Sequence, residues 1–461
     1  MSLNYPKNKV SEMRCGTVIS LIALCLLYVH FLLTVVSKEG FWGIDFVTYL
    51  PQWGIVGFYL LAVIACFPFV KFKIPTLNSK LLIVIIGTMS FLYFYFVRFK
   101  YGFIGDNYLH VGQIERCDWQ RIADGRGVGF IMCMFYKLIA HPILNLNAFK
   151  SIQIFSVLCG VGYSIYVFKI ARELGRNTFE KITLFFACML LPLSCEFNGL
   201  IEIHALPTVV MVAIYYYSIL VLNRKISIWV PVILFLISSA LHLLILTTLP
   251  AILYLFYERI SQTKKKPILF TSCALSLLMI LIFWSKLKFN SEINAFTISE
   301  FVNGQLLAFG SLILGLVIIF INIFHIKKTT LLTFFIMMSI LQLGFYFCYN
   351  LLFGAVVDDL VFYPSFTGAI AILLCLFQLK SFICIHTVKI MTGLLVLNLT
   401  CWMLIHSSDM SIIWYETNIQ KNAFEASYYK NHPMHMVMGM TFESNRLIDK
   451  AIVHYRLLGK R

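Results

Sequence analysis

From Thr17 to Val36 the chain runs without one Asp, Glu, Lys or Arg, and apolar runs of this kind return along most of the sequence. About 20 such residues are what an α-helix needs to cross the hydrocarbon core of a bilayer. Inside that core every backbone N–H and C=O must be satisfied within the protein, so only helices and closed barrels can span it. The alternating pattern of ~10-residue barrel strands is missing. The fold class expected is therefore all-α: a polytopic helical membrane protein. Composition agrees, with 60% hydrophobic and 13% charged residues and a mean hydropathy of +0.85, far from the balance of a soluble domain.

Spans are expected at 17–36, 53–70, 81–97, 151–168, 182–194, 205–222, 228–241, 243–257, 268–284, 306–324, 330–349, 363–378 and 390–405, about thirteen transmembrane helices in all. The first follows Lys7, Lys9 and Arg14 and lacks a small-residue cleavage site, so it reads as an uncleaved span. Val128 to Ala140 is apolar but too short to cross, and reads as a helix lying in or re-entering the interface. Ile226 to Tyr257 is broken by His242 and reads as two short helices meeting there.

The net charge of +16 would suggest nucleic acid in a soluble protein, but in a membrane protein the placement of the charges matters more than their sum, and no nucleic-acid partner is expected. With the N-terminus in the cytoplasm, the cytoplasmic segments collect Lys71, Lys73, Lys80, Lys169, Arg172, Arg176, Lys181, Arg224, Lys225, Arg259, Lys264, Lys265, Lys266, Lys327, Lys328, Lys380 and Lys389. The only acids on that side are Glu12, Glu173, Glu180 and Glu258. This is the positive-inside pattern. The chain divides into two N-terminal spans (1–80), a membrane core (81–405) with its first large outer loop at 98–128, and an outer tail (406–461) carrying an amphipathic helix at Ser444 to Leu458.

Tyr101 to Gly129 is the one long interruption of the apolar pattern. Asp106, Glu115, Arg116, Asp118, Arg121, Asp124 and Arg126 are interleaved there with glycines and with Tyr101, Tyr108 and Trp119, which reads as a site on the membrane surface. Three other groups of ionisable residues are expected on the same outer side: Glu196, Glu202 and His204 in CEFNGLIEIHA; His242; and Asp358 with Asp359 in VVDDLVFYP. An ionisable group at bilayer depth costs ~2.5 to 3.5 kcal/mol on insertion scales, so Glu202, His204 and His242 need partners or a wet cavity. Most of the 13 Cys sit within apolar runs as small hydrophobes. Without CxxC or Cys/His ligand spacing, neither a zinc site nor a disulfide framework is expected; Cys117 and Cys195 fall in outer loops, and their spacing does not pair them.

An acid just outside a helix, Asp106 in FIGDNY, followed by interfacial helices and many short spans, together with GLIEIHALP and SSALHLLILTTLPAILYLF, resembles the GT-C superfamily of polyprenyl-phosphate-sugar-dependent glycosyltransferases across roughly residues 81 to 405. Asn107 stands where that superfamily usually has a second acid, and two spans precede the helix that delivers the acidic loop. The resemblance implies a membrane enzyme that moves a sugar, with inversion, from a polyprenyl-phosphate-linked donor to a hydroxyl of a glycan, lipid or protein acceptor. It implies an active site facing the periplasm or outside of a bacterial inner membrane. Asp106 would be the general base, with Glu115 and Asp118 as neighbouring catalytic candidates. Arg116, Arg121, Arg126, Glu202, His204, His242, Lys286, Lys288, Asp358 and Asp359 would bind the substrates, the cations and histidines among them stabilising the leaving phosphate. No cofactor is expected, a divalent metal remaining open. A lipid-linked oligosaccharide polymerase or ligase would place its catalytic loop late in the chain, where loops 285–305 and 350–362 are short. A transporter or flippase would favour internal repeats and midplane charges.

Overall fold

A computed structural model describes residues 9–36, 46–67, 79–101, 107–121, 126–200, 203–261, 329–339, 365–378, 382–408 and 449. Among them the ordered elements are helices, and no strand occurs. Chain order gives α1 (Lys9–Val36), α2 (Gln52–Ala65), α3 (Ser79–Phe96), α4 (Asn107–Arg116), α5 (Arg126–Phe135), α6 (Ala148–Leu174), α7 (Thr178–Met189) and α8 (Ala205–Leu222). They are followed by α9 (Trp229–Ser239), α10 (Leu249–Ser261), α11 (Thr330–Ser339), α12 (Ser365–Gln378) and α13 (Phe382–His406). Three of them are long and apolar enough to cross a membrane: α1 through Gly16–Thr34, α6 and α8. The expected spans at 53–70, 81–97 and 228–241 form shorter apolar helices, the one at 390–405 lies within α13, and those at 268–284 and 306–324, with all of the Ser444 to Leu458 helix but residue 449, lie outside the described residues.

The outward surface is apolar. Leu21, Tyr28, Leu60, Ile64, Val84, Met89, Leu236 and Ile237 are exposed on α1, α2, α3 and α9, a costly arrangement in water and the ordinary one against hydrocarbon. At the centre runs α6, packed on α3, α7 and α8. Its start is fixed by Asn147, whose side chain accepts from the Lys150 N–H at 2.9 Å and so satisfies one of the free donors of the first turn. Halfway along it, Gly160 lets two rings in: a Cβ there would lie 2.6 Å from both the Phe94 ring and the Phe197 Cβ. Phe197 in turn stacks on Tyr163 at 4.7 Å, whose hydroxyl donates to the Cys188 carbonyl.

Two helices end for reasons visible in the sequence. Pro192 forces Leu191 into an extended conformation (ψ 145°), so α7 stops at Met189 short of the expected 182–194 span and the chain turns through a 3-10 helix, Pro192–Phe197. In α9 the hydroxyls of Ser238 and Ser239 donate back to the carbonyls of Leu234 and Leu236, competing with the backbone ladder. The helix breaks at Ala240, and His242 leads into a second 3-10 helix, Leu243–Thr248, ahead of α10.

Contacts sort the bundle lengthwise. At one end Lys225 pairs with Glu173, Lys389 lies 4.8 Å from the Phe179 ring, Tyr254 donates to the Thr330 carbonyl, and Ser20 of α1 meets Cys66 and His386. At the other end the Phe99 N–H donates to Asn198, Asn198 to Met403, and the Val128 N–H to Leu241. Among the described residues, the segments expected on the cytoplasmic side thus gather at one end, the basic end, and those expected outside at the opposite, loop end.

Candidate functional site

The described part of the charged loop folds back onto the bundle. In α4 the helical spacing sorts the side chains: His110 and Ile114 are buried, while Glu115 and Arg116 are exposed on the opposite face. The chain then reverses at Cys117, which has a left-handed φ of 61°, and α5 returns across the mouth of the bundle. Val128, Met132 and Cys133 of α5 are buried with Ile114, Ile152 and Ile203, and Leu241 packs against them. The contact is closest at Gly127, where a Cβ would lie 2.6 Å from both the Ala240 carbonyl oxygen and the Leu241 Cα. Only a residue without a side chain lets the start of α5 rest on the break after α9.

Cys117 and Cys133 form a disulfide with their Cα atoms 5.4 Å apart, which corrects the expectation that no disulfide would form. Cys195, the other loop cysteine, is free and buried. Cys133 looks like one more small hydrophobe in its apolar run; the turn at Cys117 brings it into reach. Closing a 16-residue separation is worth about 3 kcal/mol on chain-entropy arithmetic. Replacing both cysteines with Ser is therefore expected to lower the melting temperature of the purified protein by several degrees, and mild reductant is expected to do so for the wild type alone. An unchanged wild-type melting curve under reductant would contradict this.

Beneath α4 and α5, three histidines from separate elements come together. His204 ends the chain's approach to α8, His242 sits at the break after α9, and their rings meet edge to face at 4.9 Å between centres. His110 of α4 is near enough for its charge to act on both. Burial, with His110 adding to it, pushes His242 down to about 3. His204 is driven well below the ordinary imidazole range by burial and then by His242 and His110. Both rings are neutral at pH 7. One turn into α8, the Thr208 hydroxyl donates to Glu196 at 2.8 Å, and Ser156 of α6 donates to the Glu196 carbonyl. Glu196 itself is 2% exposed. The loop carrying it is pinned at Gly199 (φ +76°), where a Cβ would crowd Arg98 and Gln153 at 3.2 and 3.3 Å. Half-buried Arg98 stacks its guanidinium 4.4 Å from the Tyr95 ring, at the same end of the bundle.

Of the residues singled out in the sequence, His204 and His242 are brought together. Glu115, Arg116 and Arg126 lie on the exposed side of the loop helices, with Asp118 half-buried between them. Arg121 closes a short 3-10 turn, Trp119–Arg121. Asp106, Asp124, Glu202, Lys286, Lys288, Asp358 and Asp359 lie outside the described residues. Glu196 was grouped with Glu202 and His204 in the sequence but given no role, and His110 and Arg98 were not picked out. For His110 the signal was available in the helical repeat His110, Ile114, Cys117, which marks one inward face. Among the described residues no group of three or more His, Cys, Asp or Glu is arranged to hold a metal ion.

Chemically, each neutral imidazole offers one N–H donor, and an anion beside it would favour the charged form against the burial that keeps it neutral. No protein family, characterised protein or solved structure matches this chain.

Proposed function

We propose that this protein is a GT-C-like membrane glycosyltransferase of about thirteen spans, which transfers a hexosyl or pentosyl group from a polyprenyl-phosphate-linked donor to an acceptor hydroxyl at the loop end of the bundle. The observation that carries the reading is the juxtaposition of His204 and His242, with His110 beside them, beneath loop helices at the end opposite Lys169, Arg172, Lys225 and Lys389. By the positive-inside pattern the basic end is cytoplasmic, so the histidines face the periplasm or outside.

In the reaction a carboxylate takes the proton of the acceptor hydroxyl, whose oxygen attacks the anomeric carbon. The bond from that carbon to the phosphate oxygen breaks, and the lipid phosphate leaves with one further negative charge. Asp106 is the proposed base. His204 and His242, aided by His110 and Arg98, receive the charge that develops on the phosphate, and this is where preorganised donors lower a barrier most. The apolar outer face of α1, α2, α3 and α9 suits a donor that arrives through the bilayer.

The test is sugar transfer from synthetic polyprenyl-phosphate sugars by the purified protein. His242→Phe keeps the packing volume and removes the donor, and is expected to lower turnover ~10²-fold or more, whereas Arg126→Gln on the exposed side should change it little. Wild-type protein that transfers no sugar from any such donor, yet moves a lipid-linked saccharide between leaflets of vesicles, would replace the enzyme with a transporter.

A further inference from the structure

The basic end carries a second arrangement that the proposed transfer does not use. Here α6 and α8 finish side by side, and Lys169 of α6 lies at the seam between them. Its ammonium is 5.0 Å from the centre of the Tyr166 ring and 5.6 Å from that of Tyr216 on α8. Two tyrosines from two helices thus frame one half-buried cation, and Tyr166 shares a hydrogen bond with a third, Tyr217. One turn further on, exposed Arg172 sits 5.9 Å from the Phe168 ring. Tyr216 lies within the electrostatic reach of Arg172, Glu173 and Lys225. Glu173 is the acid of this group and is engaged by Lys225, which leaves Lys169 and Arg172 as excess positive charge beside phenolic hydroxyls.

Positive side chains at helix C-termini are commonplace, since they offset the negative end of the helix dipole. A dipole contact does not require an aromatic frame drawn from two helices, nor a cation half-buried at the edge of an apolar surface. Tyrosines at the level of the headgroups and a basic seam between spans together match the phosphate of an anionic lipid. We propose that the seam between α6 and α8 holds the phosphate of an anionic phospholipid, with Lys169 and Arg172 as its cationic contacts, Tyr216 and Tyr217 at its rim, and the acyl chains along the apolar helix faces. A zwitterionic headgroup would bring its own ammonium toward Arg172 and be disfavoured.

Thermal unfolding of the full-length protein in detergent, with phosphatidylglycerol, phosphatidylcholine or inorganic phosphate added, tests this. A ligand that binds only the folded state raises the midpoint by mass action. Phosphatidylglycerol is expected to raise it by several degrees, with phosphatidylcholine and free phosphate having little effect. Lys169→Gln combined with Arg172→Gln should abolish the increment, and Lys169→Arg should keep it. Equal increments from both lipids, or an undiminished increment in the double variant, would overturn the proposal; an increment from inorganic phosphate alone would assign the seam to a soluble anion instead. Should the double variant fail to fold, wild-type protein in phosphatidylcholine vesicles doped with photoactivatable phosphatidylglycerol decides. Labelling concentrated on the C-terminal turns of α6 and α8 supports the site, and labelling spread evenly over α1, α2 and α9 rejects it.

Discussion

Asp106→Asn is expected to lower sugar transfer by ~10²- to 10⁴-fold with little change in folded yield, the range lost when a positioned general base is removed. Asn keeps the shape of Asp and most of its hydrogen bonding, but cannot take the proton of an acceptor hydroxyl. Asp106 directly precedes Asn107, the first residue of α4, and α4 carries His110 on its buried face. The candidate base and one of the candidate phosphate donors, His110, therefore belong to one short stretch of chain. Glu115→Gln and Asp118→Asn should cost far less, because Glu115 faces away from His110 across the helix and Asp118 follows the turn at Cys117. Measuring transfer by each purified variant decides among them. Normal turnover in Asp106→Asn, with loss of activity in Glu196→Gln, would move the base to the buried carboxylate beside Thr208.

Acidification is expected to destabilise the protein well above the pH at which most carboxylates protonate, through the two buried histidines. In the unfolded chain a histidine titrates near its ordinary value of 6.5, whereas in the fold His242 is held down to about 3 and His204 is also strongly lowered. Between 6.5 and the folded value the unfolded state binds more protons, so stability rises with pH across that window. The contribution is complete above about 6.5 and falls by roughly 1.4 kcal/mol per pH unit for each group as the pH drops. From pH 7 to pH 5 His242 alone should cost on the order of 2 kcal/mol, with His204 adding in the same direction, readable as a steep drop in melting temperature in detergent. In His204→Gln combined with His242→Gln the drop over that interval should flatten. A variant that follows the wild-type curve would show that other groups set the acid sensitivity. A polyprenyl-phosphate ligand, by favouring the charged rings, should shift the wild-type curve toward lower pH.

The elements that read most clearly from the sequence are those whose fate is decided by the solvent alone. Ala205–Leu222 matches the expected span residue for residue, and α1 and α6 contain theirs, because a long uncharged apolar run has few stable alternatives to a helix in lipid. The break at His242 was legible for the same reason: a polar ring inside an apolar run, beside two serines, is a poor place to continue a helix. The shortness of α7 was written in Pro192, although apolarity extended the expected span past it.

Hydrophobicity and charge along the chain were thus enough to determine a helical membrane protein, its charge asymmetry and a polar loop set apart from the rest. They could not determine which side chains face one another across that loop. Cys133 and His110 each sit on a helix whose inward face is defined by a neighbour far away in sequence, and Glu196 follows a proline turn that folds it in against Thr208 rather than out to solvent. Helical periodicity fixes how residues share a face, but the rotation of that face is set by packing. The close approach at Gly127 and the turn at Cys117 settled it here, so only the tertiary structure brought the histidines together and closed the disulfide above them.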